Sequence, residues 1–330
     1  MKKIKEYQLR QKQSLSLDLK TKMSKNRIRE FYNYTDGNIY VSFSGGKDST
    51  VLLDIVRSIY PKTPAVFCDT GLEYPEIKDF VKTFDNVTII RPKMNFRQVL
   101  KKHGYPIISK DIAHKLRKLQ NPNTKNKKTR NLYATGEKNY GKDGKDSVFK
   151  LSDKYQKKFK IKFDEDIGWY SDFDKFKISE QCCDVMKKKP FHKYEEETGL
   201  KPIIGTMASD SRQRMYSYLN TGCNSLKGSE KSRPLSFWLE KDVWDYIHKN
   251  KLPYSCIYDK GIDRTGCIFC MFGVHMEKRG KNRFQCLKLS HPELWDYCIN
   301  KLGLREVLDF LEIPYLPKTK NLLEIFEKYK

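Results

Sequence analysis

The string Ser44-Gly45-Gly46-Lys47-Asp48-Ser49 stands between an apolar run over 38–43 and a helix-patterned run over 50–57. No other stretch constrains the fold as strongly. A strand that ends in such a string and enters a helix directly aims successive backbone N–H groups, and the positive end of the helix dipole, at one point. That point is an anion site. Gly45 and Gly46 permit backbone angles and close approach that side chains forbid, while Ser44, Ser49 and Thr50 offer hydroxyls and Lys47 a charge. The spacing is too short for the Gly-x-x-x-x-Gly-Lys-Ser/Thr loop that wraps a β-phosphate.

The rhythm around this loop predicts the fold class. A second strand is expected over 65–69, a helix starting at Pro75 and a third strand over 87–90. Strands alternating with helices imply a right-handed βαβ arrangement, hence an α/β fold with a doubly wound parallel sheet. Asp69 follows Gly46 by 23 positions, close to where such folds set an acidic residue against ribose hydroxyls; a strand-end residue capping its own turn is the alternative. The pattern resumes with a strand at 202–205 and a helix over 209–219, with Arg212 and Arg214 near its start. Beyond Pro234 it turns helical and cysteine-bearing, with helices expected around 241–247 and 292–297. Three parts follow: a basic N-terminal helix or arm over 1–36 with little core, a nucleotide-binding domain over 37–235, and a helical C-terminal region over 236–330.

The middle part contains a basic insertion at about 115–165. Residues 115–162 hold 16 Lys/Arg against 4 Asp/Glu, half of the net charge of +24 in about a seventh of the 330 residues. Asn121-Pro122-Asn123 and Gly141-Lys142-Asp143-Gly144 act as breakers. Such concentration favours contact with a polyanion, or a mobile lid, over uniform solubilisation. The first residues, Met1-Lys2-Lys3-Ile4-Lys5-Glu6, lead into polar sequence, and no run of about 18 apolar residues occurs. The expectation is a cytoplasmic protein with no membrane partner, whose nine cysteines stay reduced. Cys267 and Cys270 form a Cys-x2-Cys pair able to grip a metal from one turn, and Cys182-Cys183, Cys223 and Cys286 are candidates to complete the site. Zinc and a [4Fe–4S] cluster both accept four cysteines, and spacing does not separate them. Cys68, Cys256 and Cys298 read as packing residues.

Ser42-Phe43-Ser44-Gly45-Gly46-Lys47-Asp48-Ser49-Thr50 resembles the loop of the PP-loop ATP pyrophosphatase and phosphoadenylyl-sulfate (PAPS) reductase superfamily, and Asp69-Thr70-Gly71-Leu72-Glu73-Tyr74-Pro75-Glu76 resembles a second segment common there. The resemblance implies an adenine nucleotide alpha hydrolase-like fold. Cys182-Cys183-Asp184-Val185-Met186-Lys187-Lys188-Lys189-Pro190 is similar to the Cys-Cys segment of iron–sulfur adenylyl-sulfate reductases. Carried over, this implies Cys182, Cys183, Cys267 and Cys270 as cluster ligands, with Cys223 as the substitute.

The match covers about 38–110 and 180–275, and it departs from the reductases in two places. Their C-terminal Glu-Cys-Gly-Leu/Ile-His tail has no counterpart, since no cysteine follows Cys298. Met207 and Ala208 stand where they place arginines soon after the glycine corresponding to Gly205. The resemblance, with these departures, implies an enzyme binding ATP through residues 44–49, Asp69 and Arg214. Lys47 and Arg212 would stabilise charge, and Asp48 would organise the loop or a Mg2+ ion. Adenylation of a target would precede sulfur transfer, with a sulfur or electron donor protein as partner, and the charge points to tRNA or DNA as the target. The alternatives are a sulfonucleotide reductase with Cys286 or Cys223 as free nucleophile, and a non-catalytic nucleotide-sensing module.

Overall fold

The computed structural model describes residues 3–137, 149–277 and 281–317; the breakers at 141–144 and the C-terminal stretch 318–330 lie outside the described residues. The chain forms two compact units, each built from separate stretches. One comprises Met1–Pro92 with Lys187–Gly266, the other Lys93–Met186 with Cys267–Lys330.

In chain order the first unit opens with α1 (Glu6–Gln13), α2 (Leu17–Tyr34), β1 (Ile39–Ser42), α3 (Lys47–Arg57), β2 (Ala65–Cys68), α4 (Pro75–Lys82) and β3 (Val87–Ile90). The second unit then takes α5 (Phe96–His103), β4 (Ile107–Ile108), α6 (Lys110–Gln120), α7 (Lys127–Thr135), α8 (Asp153–Lys158), β5 (Ile161–Asp164) and β6 (Gly168–Ser171). The chain returns to the first unit as α9 (Lys189–Thr198), β7 (Lys201–Ile204), α10 (Arg212–Thr221), β8 (Asn224–Ser225), β9 (Lys231–Ser232) and α11 (Glu240–Asn250). It closes in the second with β10 (Met271–Phe272), α12 (Arg283–Ser290), α13 (Pro292–Asp296) and α14 (Leu304–Phe310).

The first unit is a doubly wound α/β layer structure. Its sheet runs β3-β2-β1-β7-β9-β8, parallel throughout except for β8, which turns back against β9. β2 is buried at all four positions, and Ile39, Tyr40 and Val41 of β1 are buried too, as strands covered on both faces require. Val41 pairs with Ala65 on one side and Ile203 on the other. The chain winds outward from β1 in both directions, so a crevice opens at the carboxyl end of β1, where such sheets bind ligands. Helix α3 leaves from that point with Val51, Leu52, Leu53, Ile55 and Val56 buried. Pro75 stands at the first turn of α4, as expected.

The N-terminal segment corrects the expectation of little core. Leu9, Ile28 and Phe31 are buried, and α2 packs against α3. Lys20 is buried as well, its Nζ 2.7 Å from Asp242 Oδ2. Ser24 Oγ donates to the Pro234 carbonyl at 2.9 Å and accepts from Trp238 Nε1 at 2.9 Å. Polar composition hid this helix because its lysine and serine find partners more than 200 residues away.

In the second unit β4 pairs in parallel with β10, and β5 with β6 as an antiparallel hairpin. The basic insertion contributes folded elements here. Phe159, Phe173, Phe176 and Phe310 form an aromatic cluster with centroids 4.8–5.7 Å apart. Arg130 is buried and donates to Asn126 Oδ1 at 2.7 Å, to the Ile167 carbonyl at 2.7 Å and to the Trp169 carbonyl. Part of the basic surplus is therefore structural. The two units follow other bounds than the three parts read from sequence, because the chain passes between them at 92–93, 186–187 and 266–267 without a linker-like composition.

Candidate functional site

Gly46 is the N-cap of α3 and Gly45 is left-handed, with φ of 71°. A Cβ on Gly45 would lie 2.7 Å from Val81 Cγ2 and 2.9 Å from Ile77 Cγ2; one on Gly46 would lie 2.7 Å from Thr265 Oγ1. Glycine is required at both positions by space, and at Gly45 by conformation too. Hydroxyls set the turn from inside. The Ser44 amide donates to Ser49 Oγ at 3.1 Å, and Ser49 Oγ and Thr50 Oγ1 donate to the Gly46 carbonyl at 2.8 and 3.1 Å. The Lys47 amide donates to the Tyr258 hydroxyl at 2.8 Å, and that hydroxyl lies 3.2 Å from Thr265 Oγ1.

Lys47 is buried, with its Nζ 3.0 Å from Glu240 Oε1 and 3.4 Å from the Asp263 carbonyl, over the rings of Trp244 and Tyr258. Burial alone pulls its pKa down, but Asp48, Glu240 and Tyr258 outweigh this and hold it above the ordinary lysine value. Burial pushes the Asp48 carboxyl up to about 6, with Asp210 and Glu240 acting the same way against Lys47 and Arg214. Asp48 Oδ1 is buried without a hydrogen-bond partner among the described residues. Gly205 lies against the same segment, since a Cβ there would be 3.0 Å from the Asp48 carbonyl oxygen.

Arg214 forms an ion pair with Asp210 and its amide donates to the N-cap Ser211 at 3.3 Å, so it belongs to the Asp48 surroundings. Arg212 is exposed at the first position of α10, and no hydrogen bond or ion pair joins it to the loop among the described residues. Met207 and Ala208 are both buried. Asp69 directly follows β2 with both oxygens engaged: Oδ1 accepts from the Gly71 amide at 3.2 Å and pairs with Lys78 at 2.8 Å, while Oδ2 lies 3.3 Å from Arg91. Burial opposes its ionisation, yet Lys78, Gly71 and Arg91 together hold its pKa below the usual carboxylate value. Tyr258, Thr265, Glu240 and Trp244 were not among the residues singled out from sequence. Nothing local marks them, for they reach the loop only through the fold.

In the second unit Cys182 Sγ and Cys183 Sγ are 4.0 Å apart. The Cys182 thiol is pushed well above the ordinary range, first by its hydrogen bond with Cys183, then by burial, then by the charges of Cys183, Cys270 and Cys267. Burial also raises Cys270, with Cys183 adding to it and the Phe272 amide, Arg283 and Lys110 opposing. The Cys270 amide donates to the Cys267 carbonyl at 3.1 Å, closing the Cys-x2-Cys turn, and Arg283 Nη1 donates to the Cys270 carbonyl at 2.9 Å. The four thiols thus share one neighbourhood, and a set of soft sulfur donors fits zinc or an iron–sulfur cluster by its chemistry. No three His, Cys, Asp or Glu side chains stand in metal-ligating geometry among the described residues.

Cys223 belongs to the first unit, where burial pushes its thiol up to about 11 against the opposing charges of Arg27, Lys12 and Arg233. Cys286 Sγ lies 3.7 Å from the Lys281 carbonyl. Cys68 and Cys298 are buried, but Cys256 is exposed, so its reading as a packing residue is corrected: it lies in the succession of turns over 255–261 rather than in an element.

The phosphoadenosine phosphosulfate reductase domain matches residues 38–272. Two uncharacterized proteins of Methanocaldococcus jannaschii are each 26% identical, over 324 and 290 residues. The matches cover 93% and 83% of this chain but 60% and 43% of those proteins, so the chain spans about half the length of these curated relatives. The adenosine 5'-phosphosulfate reductase of Geobacillus kaustophilus is 25% identical over 262 residues, 79% of this chain and 84% of its own length. Among solved structures, the PAPS reductase of Candida auris aligns at a TM-score of 0.41 and 18% identity, over 77% of this chain and 96% of that one. The U34-tRNA thiolase NcsA of Methanococcus maripaludis, solved with its [4Fe-4S] cluster, aligns at 0.35 and 14% identity, over 88% and 80%. Likeness at those scores says nothing of chemistry. The match of the domain to most of the sequence does: the chain belongs to the phosphoadenosine phosphosulfate reductase domain family.

Proposed function

We propose that this chain binds ATP at the loop of residues 44–49 and adenylates a nucleic acid, tRNA or DNA, that then receives sulfur. One observation carries the nucleotide reading: Gly45 and Gly46 have no room for a Cβ at a strand-to-helix junction on the reversal point of a parallel sheet. The start of α3 favours negative charge there, and the Lys47 amide is held by the Tyr258 hydroxyl, a partner that a phosphate oxygen would displace.

Two features support ATP over a sulfonucleotide. Met207 and Ala208 are apolar and buried, leaving the turn after Gly205 without a cation for a terminal sulfate. The unpartnered Oδ1 of Asp48 is a hard oxygen that suits the Mg2+ accompanying ATP. Bound Mg2+ would neutralise charge across the phosphates. Lys47 stays protonated in its surroundings and, with Arg212 and Arg214 at the start of α10, offsets charge as a target oxygen bonds to the α-phosphorus and pyrophosphate leaves with the bonding pair. Asp69 is proposed to meet the ribose.

A sulfur nucleophile at the sulfide level then bonds to the activated carbon as its C–O bond breaks and AMP departs, without net oxidation. Cys182, Cys183, Cys267 and Cys270 are the proposed ligands of a [4Fe–4S] cluster or of Zn2+, and the iron cluster would supply a soft site for sulfur. A donor protein supplies sulfur or electrons. No helix among the described residues is long and apolar enough to cross a membrane, and we place the reaction in the cytoplasm.

Pyrophosphate release from ATP, with and without tRNA or DNA, tests the reading; stimulation by nucleic acid is expected, and no release under any condition would remove it. The relatives named adenosine 5'-phosphosulfate reductase favour a second reading, in which a thiolate attacks the sulfur of adenylyl sulfate, forming an S–S bond as AMP leaves. A sulfite-labelled cysteine after mixing with adenylyl sulfate would decide for it.

A further inference from the structure

A cavity of about 300 Å³ in the second unit is lined by Arg97, Lys101, Lys177 and Lys301 together with Tyr105 and Phe176, and no carboxylate of the described residues lines it. The four cations are exposed, and they differ from Arg117 and Lys158 of the same unit, which pair with Glu180 at 2.7 Å and with Glu312 at 2.8 Å. None of the four around the cavity has an ion-pair or hydrogen-bond partner for its side chain among the described residues. Helix stability accounts for only two of them: Lys101 in the last turn of α5 and Lys301 in the last turn of the helical stretch 297–301 suit the helix dipole, but Arg97 stands in the first turn of α5, where a cation is disfavoured. Four like charges around one hollow repel each other until an anion enters.

The wall between the cations is apolar, with half-buried Tyr105 standing on the buried ring of Phe176 beside Leu100 and Leu302. Tyr105 and Phe176 meet edge to face with centroids 5.7 Å apart, and Tyr105 Oη donates to the Leu302 carbonyl at 3.1 Å, which holds its ring in place. Gly104, at φ 103°, lets the backbone pass within van der Waals reach of Lys177, since a Cβ there would be 2.4 Å from the Lys177 carbonyl. Cations from three distant stretches are thus brought to one rim. Unpaired positive charge beside an accessible aromatic ring is the combination that holds a nucleic-acid strand, backbone on the cations and base on Tyr105. The volume lies at the small end of ligand sites and suits one nucleotide, not a duplex.

We propose that this cavity seats one nucleotide of a single-stranded nucleic acid. The proposal deepens the nucleic-acid target named above and rests on that reading for the identity of the strand. Fluorescence anisotropy of a fluorescein-labelled oligothymidylate and of an oligouridylate, measured between 50 and 200 mM NaCl, tests it. The triple variant R97Q/K101Q/K301Q is expected to bind at least about tenfold more weakly, with the slope of log K against log salt reduced by about two, from roughly 0.7 per lost single-strand contact. Arg97→Gln alone should show part of the same loss. The control K22Q/K62Q/K227Q removes the same net charge from exposed lysines of the first unit and should leave binding within about twofold.

Equal losses in the two triples, or no loss in the first, would overturn the proposal. So would weaker binding of AMP by the cavity variant with unchanged oligonucleotide binding, which would make the ligand a free nucleotide. Calorimetry with ATP separates the two readings. An R97Q/K101Q/K301Q variant that keeps ATP binding while losing the oligonucleotide supports the cavity, whereas wild-type protein that binds oligonucleotide through the cavity but never ATP removes only the loop reading.

Discussion

The hydroxyl of Tyr258 accepts a hydrogen bond from the Lys47 amide at 2.8 Å, at the first turn of α3. That amide is among those a phosphate oxygen would use, so Tyr258 satisfies it in the nucleotide-free protein. Replacing Tyr258 by Phe leaves the amide without its partner. A loss of about 1 kcal/mol is expected in urea unfolding without nucleotide, and little loss with saturating ATP. Equal destabilisation under both conditions would show that no phosphate takes over the amide.

Gly45→Ala should both destabilise the protein and abolish nucleotide binding. The left-handed backbone disfavours any side chain by about 1–2 kcal/mol, and a Cβ would press on Val81 and Ile77. Calorimetric titration with ATP is the check; an alanine variant that binds normally would contradict the assignment of the loop.

Asp48 gives a pH signature with a definite sign. Its folded pKa, raised to about 6 chiefly by burial, lies above the value of about 3.9 for an unfolded Asp, so the folded state holds the proton more tightly between these limits. Stability should therefore fall as pH rises from about 4 to 6, by on the order of 2 kcal/mol from this group. Asp48→Asn should flatten that part of the profile, as read by chemical denaturation at each pH without nucleotide. A slope unchanged in the Asn variant would assign it to other groups.

The buried pair of Lys20 with Asp242 should matter more to folding than its place in a lysine-rich arm would predict. Lys20→Met leaves the buried Asp242 carboxylate with the Leu239 amide as its remaining partner and is expected to cost about 3–5 kcal/mol, while adding Asp242→Asn, which removes the charge and keeps an acceptor for that amide, should recover part of the loss. Denaturation of the two variants measures this, and a harmless Lys20→Met would place the helix outside the core.

Iron and sulfide analysis after anaerobic purification tests the four thiols. About four iron atoms per chain are expected for a [4Fe–4S] cluster, lost in Cys267→Ser and Cys270→Ser and kept in Cys223→Ser, whose thiol lies in the other unit. Zinc alone in the wild type would remove the redox-linked forms of the proposal.

Sequence by itself determined the strand and helix rhythm around 39–90, the glycine turn and the Cys-x2-Cys turn, because periodicity and turn chemistry are local and survive without knowledge of the fold. Tertiary structure decided the rest. It buried Lys20 against a residue 222 positions away, set Tyr258 on an amide 211 positions distant, and gathered four unpaired cations from three stretches around one hollow. Desolvation and charge depend on what surrounds a group in space, and composition carries no record of those neighbours.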